Sequence, residues 1–410
     1  MSNMKKTTQS EAFNLNSGNN AFTYSGAGIS DIVQQRRSRL AESKKTENTP
    51  MKPVGDLDIK DIRGWTLKEP VSKNTYTVIK IQTGSGLVGY GECSQLSPAE
   101  FAEAKRIIIG TPVTSFEVVA PKLSHVTTAR AAINIAMLDV TGKIAKAPIF
   151  QVLGGPTRFK ARALAPLTGN TDQELINSMN RLKALGYLAF MVPIPTVVWR
   201  NQGQEYVLAT RNRLDALRAA GGENTDFALD GSNKLTPGDA QMICEAIENF
   251  HVLFFNEPCL PVSIGAIKKL SAENVTPIGL GKGITGENQI LDLIRDDAVD
   301  IIRPSIGLNG ISQIKRMAVI AETYYIAVGP DHNGGPIGTA ACLHLAASIP
   351  NFFVQKIPCP EAEEDRLMRL ALVAEPVETI KEGYAPLLTG PGLGITVNEK
   401  IFEKYMEASL

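Results

Sequence analysis

Phe227-Ala228-Leu229-Asp230, Phe254-Phe255-Asn256-Glu257-Pro258, Ile278-Gly279-Leu280-Gly281-Lys282, Ile301-Ile302-Arg303-Pro304-Ser305 and Ala327-Val328-Gly329-Pro330-Asp331-His332 follow one pattern. A short apolar run ends on a charged or polar residue. Positions 230, 257, 282, 305 and 331 lie 27, 25, 23 and 26 residues apart. A buried parallel strand, a loop, a helix and a return loop use roughly that many residues. Polar residues at the C-terminal ends of successive parallel strands are where an α/β barrel carries its chemistry.

Outward from this stretch the period continues. Arg162–Leu167 and Gly186–Val192 read as the two preceding strands, with helices over 172–185 (Thr171 as its cap) and 203–220. Asn351–Gln355 reads as the eighth strand, and position 355 lies 24 residues beyond 331. Before the barrel, Tyr76–Gln82 alternates as a strand, Thr83-Gly84-Ser85-Gly86 turns the chain, and Leu87–Glu92 returns, which is a hairpin. Residues 99–109 and 125–147 read as helices. The expected organisation is a disordered, polar arm over 1–50, an α+β capping domain over 56–150, an α/β barrel over 151–360, and a segment over 361–410 that returns to the cap.

Composition narrows the function. Lys plus Arg and Asp plus Glu both number 42 in 410 residues, so nothing draws the chain to nucleic acid or an anionic membrane. No apolar run reaches the length of a membrane span. Five scattered cysteines form neither a disulfide framework nor a zinc pattern, and a reducing, cytoplasmic setting is expected. Arg36-Arg37 has no apolar region after it and does not read as a twin-arginine signal. His344 lies in an apolar helix and reads as a core residue, and His125 and His251 have no acidic constellation.

The motifs together resemble the mandelate racemase/muconate lactonising branch of the enolase superfamily. The resemblance rests on Gly86-Leu87-Val88-Gly89-Tyr90-Gly91-Glu92, Ala136–Lys143 with Leu153-Gly154-Gly155, and the barrel pieces Leu229-Asp230, Asn256-Glu257-Pro258, Asp300–Pro304 and Gly335-Pro336-Ile337. Leu343-His344-Leu345-Ala346, Pro350-Asn351-Phe352, Gly383–Pro386 and Gly390–Gly394 extend it. It implies a modified TIM barrel of (β/α)7β type under an N-terminal α+β cap that the C-terminal segment completes. It implies acid-sugar dehydratase or racemase chemistry: removal of the proton α to a carboxylate, with Mg²⁺ stabilising the enediolate. A small hydroxy-carboxylate is the expected partner, and a homo-oligomer the expected assembly.

Transferred by position, Asp230 and Glu257 are the first two metal ligands. The third ligand position holds Lys282. The second-strand lysines fall on Met191 and Pro193, the sixth-strand aspartate on Ser305, and a frequent eighth-strand glutamate on Lys356. Either Asp331 or His332 stands at the seventh-strand base position. Lys282 is expected to lie between Asp230 and Glu257 as an internal counter-ion in place of the metal, and Lys356 could pair with Glu361 or Glu363. Three readings follow: an enzyme with rearranged chemistry using Asp331, His332 or Lys282; a non-catalytic homologue that binds or assembles; and a Schiff-base enzyme using Lys282.

Overall fold

The structure is a computed structural model that describes residues 55–196, 203–260 and 264–410. The disorder expected of residues 1–50 concerns a segment outside those residues. The described residues form one compact unit.

The cap is a four-stranded antiparallel sheet. Its strands are β1 (Ile59–Lys68), β2 (Thr75–Thr83) and β3 (Val88–Cys93), and the C-terminal segment adds a strand at Met406–Ser409 beside β1. β1 was not foreseen in the sequence. Its burial follows no simple alternation, because Ile59 and Ile62 join the cap core while Leu67 joins the barrel core. The sheet packs on the helix Thr127–Ala145. Gly89 and Gly91 explain the glycine spacing of the hairpin motif. A side chain at either would run into the carbonyls of Ala136 and Ala132, so β3 lies directly on the helix backbone.

Eight parallel strands, with Tyr384–Pro386 added antiparallel on β4, form the second sheet: β4 (Lys160–Pro166), β5 (Ala189–Pro193), β6 (Asp226–Asp230), β7 (Phe255–Asn256), β8 (Ile278–Leu280), β9 (Ile301–Ile302), β10 (Ala327–Val328) and β11 (Gln355–Lys356). β11 pairs with β4, and a parallel bridge between Val328 and Phe352 joins the two ends of the sheet. Helices separate consecutive strands, and the first of them, Asp172–Ala184, is capped by Thr171, whose hydroxyl accepts the Glu174 N–H at 3.3 Å. A further helix, Glu363–Leu372, follows β11. Among the described residues no helix is long and apolar enough to cross a membrane.

Alternation along the strands sorts side chains into two cores. Phe190, Val192, Phe227 and Leu229 pack outward against the helices, whereas Ala189, Met191 and Ala228 point into the barrel with Leu164, Phe254, Ile301 and Val354. Burying each large apolar side chain contributes about 1.5–3 kcal/mol. This is also why the second strand offers no base: its inward position, Met191, is part of the barrel filling.

Cap and barrel are joined by buried polar contacts. Glu92 at the end of β3 accepts the N–H groups of Gly335 (2.6 Å) and Gly338 (3.1 Å), at the start of the helix Pro336–Ser348. Glu69, after β1, pairs with Arg369 at 2.6 Å, and Arg369 also binds Glu378. Asp365 accepts the N–H groups of Val71 and Ser72, both at 2.8 Å. The loop between β1 and β2 is thereby fixed to the helix Glu363–Leu372.

Candidate active site

The strand ends bring Asp230, Glu257, Lys282, Asp331 and Lys356 to one end of the barrel, where Arg303 fills the interior beneath them. β6 delivers Asp230. Its Oδ1 accepts from Asn256 Nδ2 (2.8 Å) and from the Ser232 N–H (3.1 Å), and its Oδ2 accepts from the Ser232 hydroxyl (2.9 Å). Glu257 follows β7 in a left-handed backbone conformation, φ 43°, which a non-glycine residue adopts at a cost of about 1–2 kcal/mol. Backbone bonds hold it there: its N–H donates to Gly279 O (2.8 Å), and its carbonyl accepts from the Asn233 N–H (2.7 Å). Its Oε1 accepts the N–H groups of Gly281 (2.8 Å) and Lys282 (2.7 Å). Burial raises its pKa, opposed by those two N–H groups.

Lys282 departs from expectation. Its main-chain N–H, not its ammonium, contacts Glu257. The side chain is exposed and makes no ion pair among the described residues, so it is not the internal counter-ion of Asp230 and Glu257. A position in the sequence fixes where the backbone passes, and at a strand end a long side chain can leave for solvent, which lowers its desolvation cost. The charge still acts at a distance, since Lys282 helps to hold Asp331 ionised.

The internal cations are Arg303 and Lys356. Arg303 is fully buried, with its guanidinium 4.9 Å from the centre of the Phe254 ring and Nη2 3.5 Å from Asp331 Oδ1. Lys356 Nζ lies 3.1 Å from the same oxygen and also binds Asn333 Oδ1, so it pairs with neither Glu361 nor Glu363. Asn333 Nδ2 donates to Asp331 Oδ2 at 2.9 Å. Burial alone would raise the Asp331 carboxyl, but Lys356, Arg303 and Lys282 together hold it at about 2. Burial pushes Arg303 down, opposed by Asp331, Asp230 and Glu257. The sequence carried a signal for Arg303 in Gly279 and Gly329. A side-chain carbon there would come within 3.0 Å of Arg303 Cδ and 2.9 Å of its Nη1.

Asp331 and His332 face different surroundings, which settles which of the two joins the ionic cluster. Asp331 enters it. His332 turns to the cap, its Nε2 3.0 Å from Gly335 O, and burial pushes its pKa down to about 4. It lines a cavity of about 220 Å³ together with Asn74, Tyr76, Glu92, Ser94 and Ser305. His344 is a buried core residue stacked on Phe150, as the sequence suggested.

Mg²⁺, which the family resemblance implies, requires about six oxygens in near-octahedral array. Asp230 accepts from Asn256 and Ser232, and Glu257 from two N–H groups and the Asn233 side chain, so the strand ends offer only two carboxylates, each with part of its lone pairs taken. The third position is an amine. Among the described residues no three Asp, Glu, His or Cys side chains converge as a metal site. These residues do not fit the ion. Cations already stand close by: Arg303 acts on Asp230, Glu257 and Asp331, and Lys356 and Lys282 act on Asp331.

Comparison with known proteins agrees with the architecture. The enolase C-terminal domain-like family model matches residues 181–401, and the mandelate racemase/muconate lactonizing enzyme N-terminal domain model matches residues 65–154. A provisionally assigned dehydratase from Mesorhizobium loti is 25% identical with a TM-score of 0.76, over 86% of this chain and all (100%) of the other. A mandelate racemase/muconate lactonizing enzyme-like protein from Roseovarius sp. TM1035 is 23% identical with a TM-score of 0.77, over 86% and 96%. A provisionally assigned galactarate dehydratase from Agrobacterium radiobacter, bound to Na and L-malate, is 22% identical with a TM-score of 0.78, over 86% and 96%. With both halves of the fold matched in order, the chain belongs to the mandelate racemase/muconate lactonizing enzyme family of the enolase superfamily.

Proposed function

We propose that the barrel mouth binds a small hydroxylated carboxylate through fixed cations rather than through Mg²⁺, and that the protein is a binding homologue rather than a catalyst of α-proton removal. The observation that carries this reading is the clamping of Asp331 between Lys356 and Arg303. A carboxylate held at about 2 is far from the near-neutral pKa that suits a general base. The ligand carboxylate would meet the free ammonium of Lys282. Its hydroxyls would donate to the lone pairs that Asp230 and Glu257 keep beside their present hydrogen bonds. L-malate, the compound in the Agrobacterium radiobacter relative, has this chemistry.

A second reading keeps the family chemistry with His332 as base. It is favoured by the neutral imidazole facing the cavity under the cap. Proton exchange separates the two. In D₂O, NMR of hydroxy-carboxylates with the wild-type protein and millimolar Mg²⁺ should show no enzyme-dependent loss of the α-proton signal. Rapid exchange that disappears in His332→Asn would overturn the binding-only reading in favour of the second.

A further inference from the structure

The N-terminal ends of the barrel strands, opposite the site, carry an aromatic patch. Phe159 stands directly before β4, Phe352 and Phe353 shortly before β11, and Tyr324 and Tyr325 shortly before β10. β4, β11 and β10 are neighbours, so these residues share one face. Phe159 is 84% and Tyr325 98% exposed. A groove of about 420 Å³ is lined by Tyr325, Pro350, Phe352 and Phe353. Its lining is fixed: Asn351 Nδ2 donates to Ala318 O (3.0 Å) and Ile326 O (2.9 Å), and the Arg158 guanidinium lies 4.8 Å from the centre of the Phe352 ring.

Tyr325 serves no purpose visible within its own chain. Beyond the helix Ile306–Glu322, the Tyr325 N–H donates to Glu322 O (3.1 Å) and the Ile326 N–H to Ala321 O (3.0 Å), which makes a Schellman helix end. Tyr325 takes the left-handed position of that motif, φ 59°, where glycine is usual. A bulky side chain there strains the backbone, and a ring so exposed recovers almost nothing by packing on its own chain. Contact with another molecule would recover it.

The charges around the patch identify that molecule. Arg158 and Lys160 flank Phe159 on the β4 side. Glu322 lines the groove on the β10 side, and Asp296 and Asp297 are exposed in the loop before β9, the next strand. Among the described residues Arg158, Lys160 and Glu322 form no ion pair. The face is basic at one end, aromatic in the middle and acidic at the other, so it is complementary to a copy of itself turned about a two-fold axis. With 42 basic and 42 acidic residues, the chain has no net charge to keep copies apart.

We propose that this face is the interface of a two-fold symmetric homodimer. Tyr325 of each copy enters the groove of the other beside Phe352 and Phe353, and Arg158 and Lys160 face the partner's Glu322. Both barrel mouths stay open, so the dimer does not depend on what the mouth binds.

Sedimentation velocity of the full chain over a dilution series reads the assembly. Wild type should be dimeric at micromolar concentration. Tyr325→Gly should weaken association at least about tenfold. At a dilution where both are monomeric it should melt no lower than wild type, because glycine suits the left-handed position. Lys160→Glu sets like charges opposite each other and should dissociate the dimer. Adding Glu322→Lys to Lys160→Glu restores opposite charges across the two-fold axis and should re-form it. A wild type that stays monomeric at high micromolar concentration overturns the proposal. So does a dimer that Tyr325→Gly and Lys160→Glu both leave as tight as wild type, which would place the interface elsewhere. A Tyr325→Gly monomer that melts below wild type would overturn it too, since the tyrosine would then serve its own fold.

Discussion

Replacing Lys356 by methionine is the sharpest perturbation of the ionic cluster. The substitution keeps most of the side-chain volume and removes one of the two cations on Asp331. At 3.1 Å and an effective dielectric of about 20, that attraction is roughly 5 kcal/mol before desolvation. Removing one member of a buried pair costs about 3–5 kcal/mol. Arg303 remains 3.5 Å away, so the expected loss sits at the low end, roughly 3 kcal/mol. The pH dependence gives a second signature. The folded pKa of Asp331, about 2, lies below the unfolded value of about 3.9. Its stabilising contribution is therefore complete above the unfolded value and is lost as pH falls through about 2. In Lys356→Met the folded value rises, so that contribution shrinks at neutral pH and its loss begins at higher pH. Urea unfolding of wild type and variant, at neutral pH and stepwise into acid, measures both effects. A variant as stable as wild type at neutral pH, with the same acid profile, would refute the clamp.

Three further outcomes are expected. Wild-type protein should show no thermal shift with millimolar Mg²⁺, because two partly engaged carboxylates supply too few oxygens and the third position is Lys282; a saturable upward shift would show that the strand ends do hold the ion. Burial raises the Glu92 carboxyl to about 7, above its unfolded value of about 4.3, so its ionisation penalises the folded state increasingly as pH climbs between those values. Glu92→Gln should flatten that decline, and an unchanged pH–stability curve would show that Glu92 titrates normally. Asp365→Ala removes the acceptor of two loop N–H groups, so residues 70–74 should exchange faster in hydrogen-exchange mass spectrometry, and unaltered protection would show that the loop is held elsewhere.

Much of this was legible in the chain, and the parts that were not share a cause. The barrel strands could be read because an inward and an outward face impose a period on short apolar runs, and the helix at 172 because Thr171 and Glu174 form its capping box. β1 was missed because its two halves serve different cores. At the site, the strand ends could be read from sequence but the directions of the side chains could not. Asp230 and Glu257 stand at the ends of β6 and β7. The cation expected at Lys282 is supplied by Arg303 and Lys356, whose partner Asp331 is 28 residues after one and 25 before the other. Such pairing is set by which side chains fill the barrel, and spacing alone does not carry it. The same limit left Asp331 and His332 undecided in sequence, since adjacent residues at a strand end turn to different neighbours.

The claim that fixed cations do the work of a metal is tested most directly by titrating L-malate and a panel of sugar acids into metal-stripped protein in EDTA. Wild-type protein should bind at least one of them, with the affinity unaltered by added Mg²⁺ and lost in Lys282→Ala. Binding that appears only when Mg²⁺ is restored, and survives Lys282→Ala, would contradict the account.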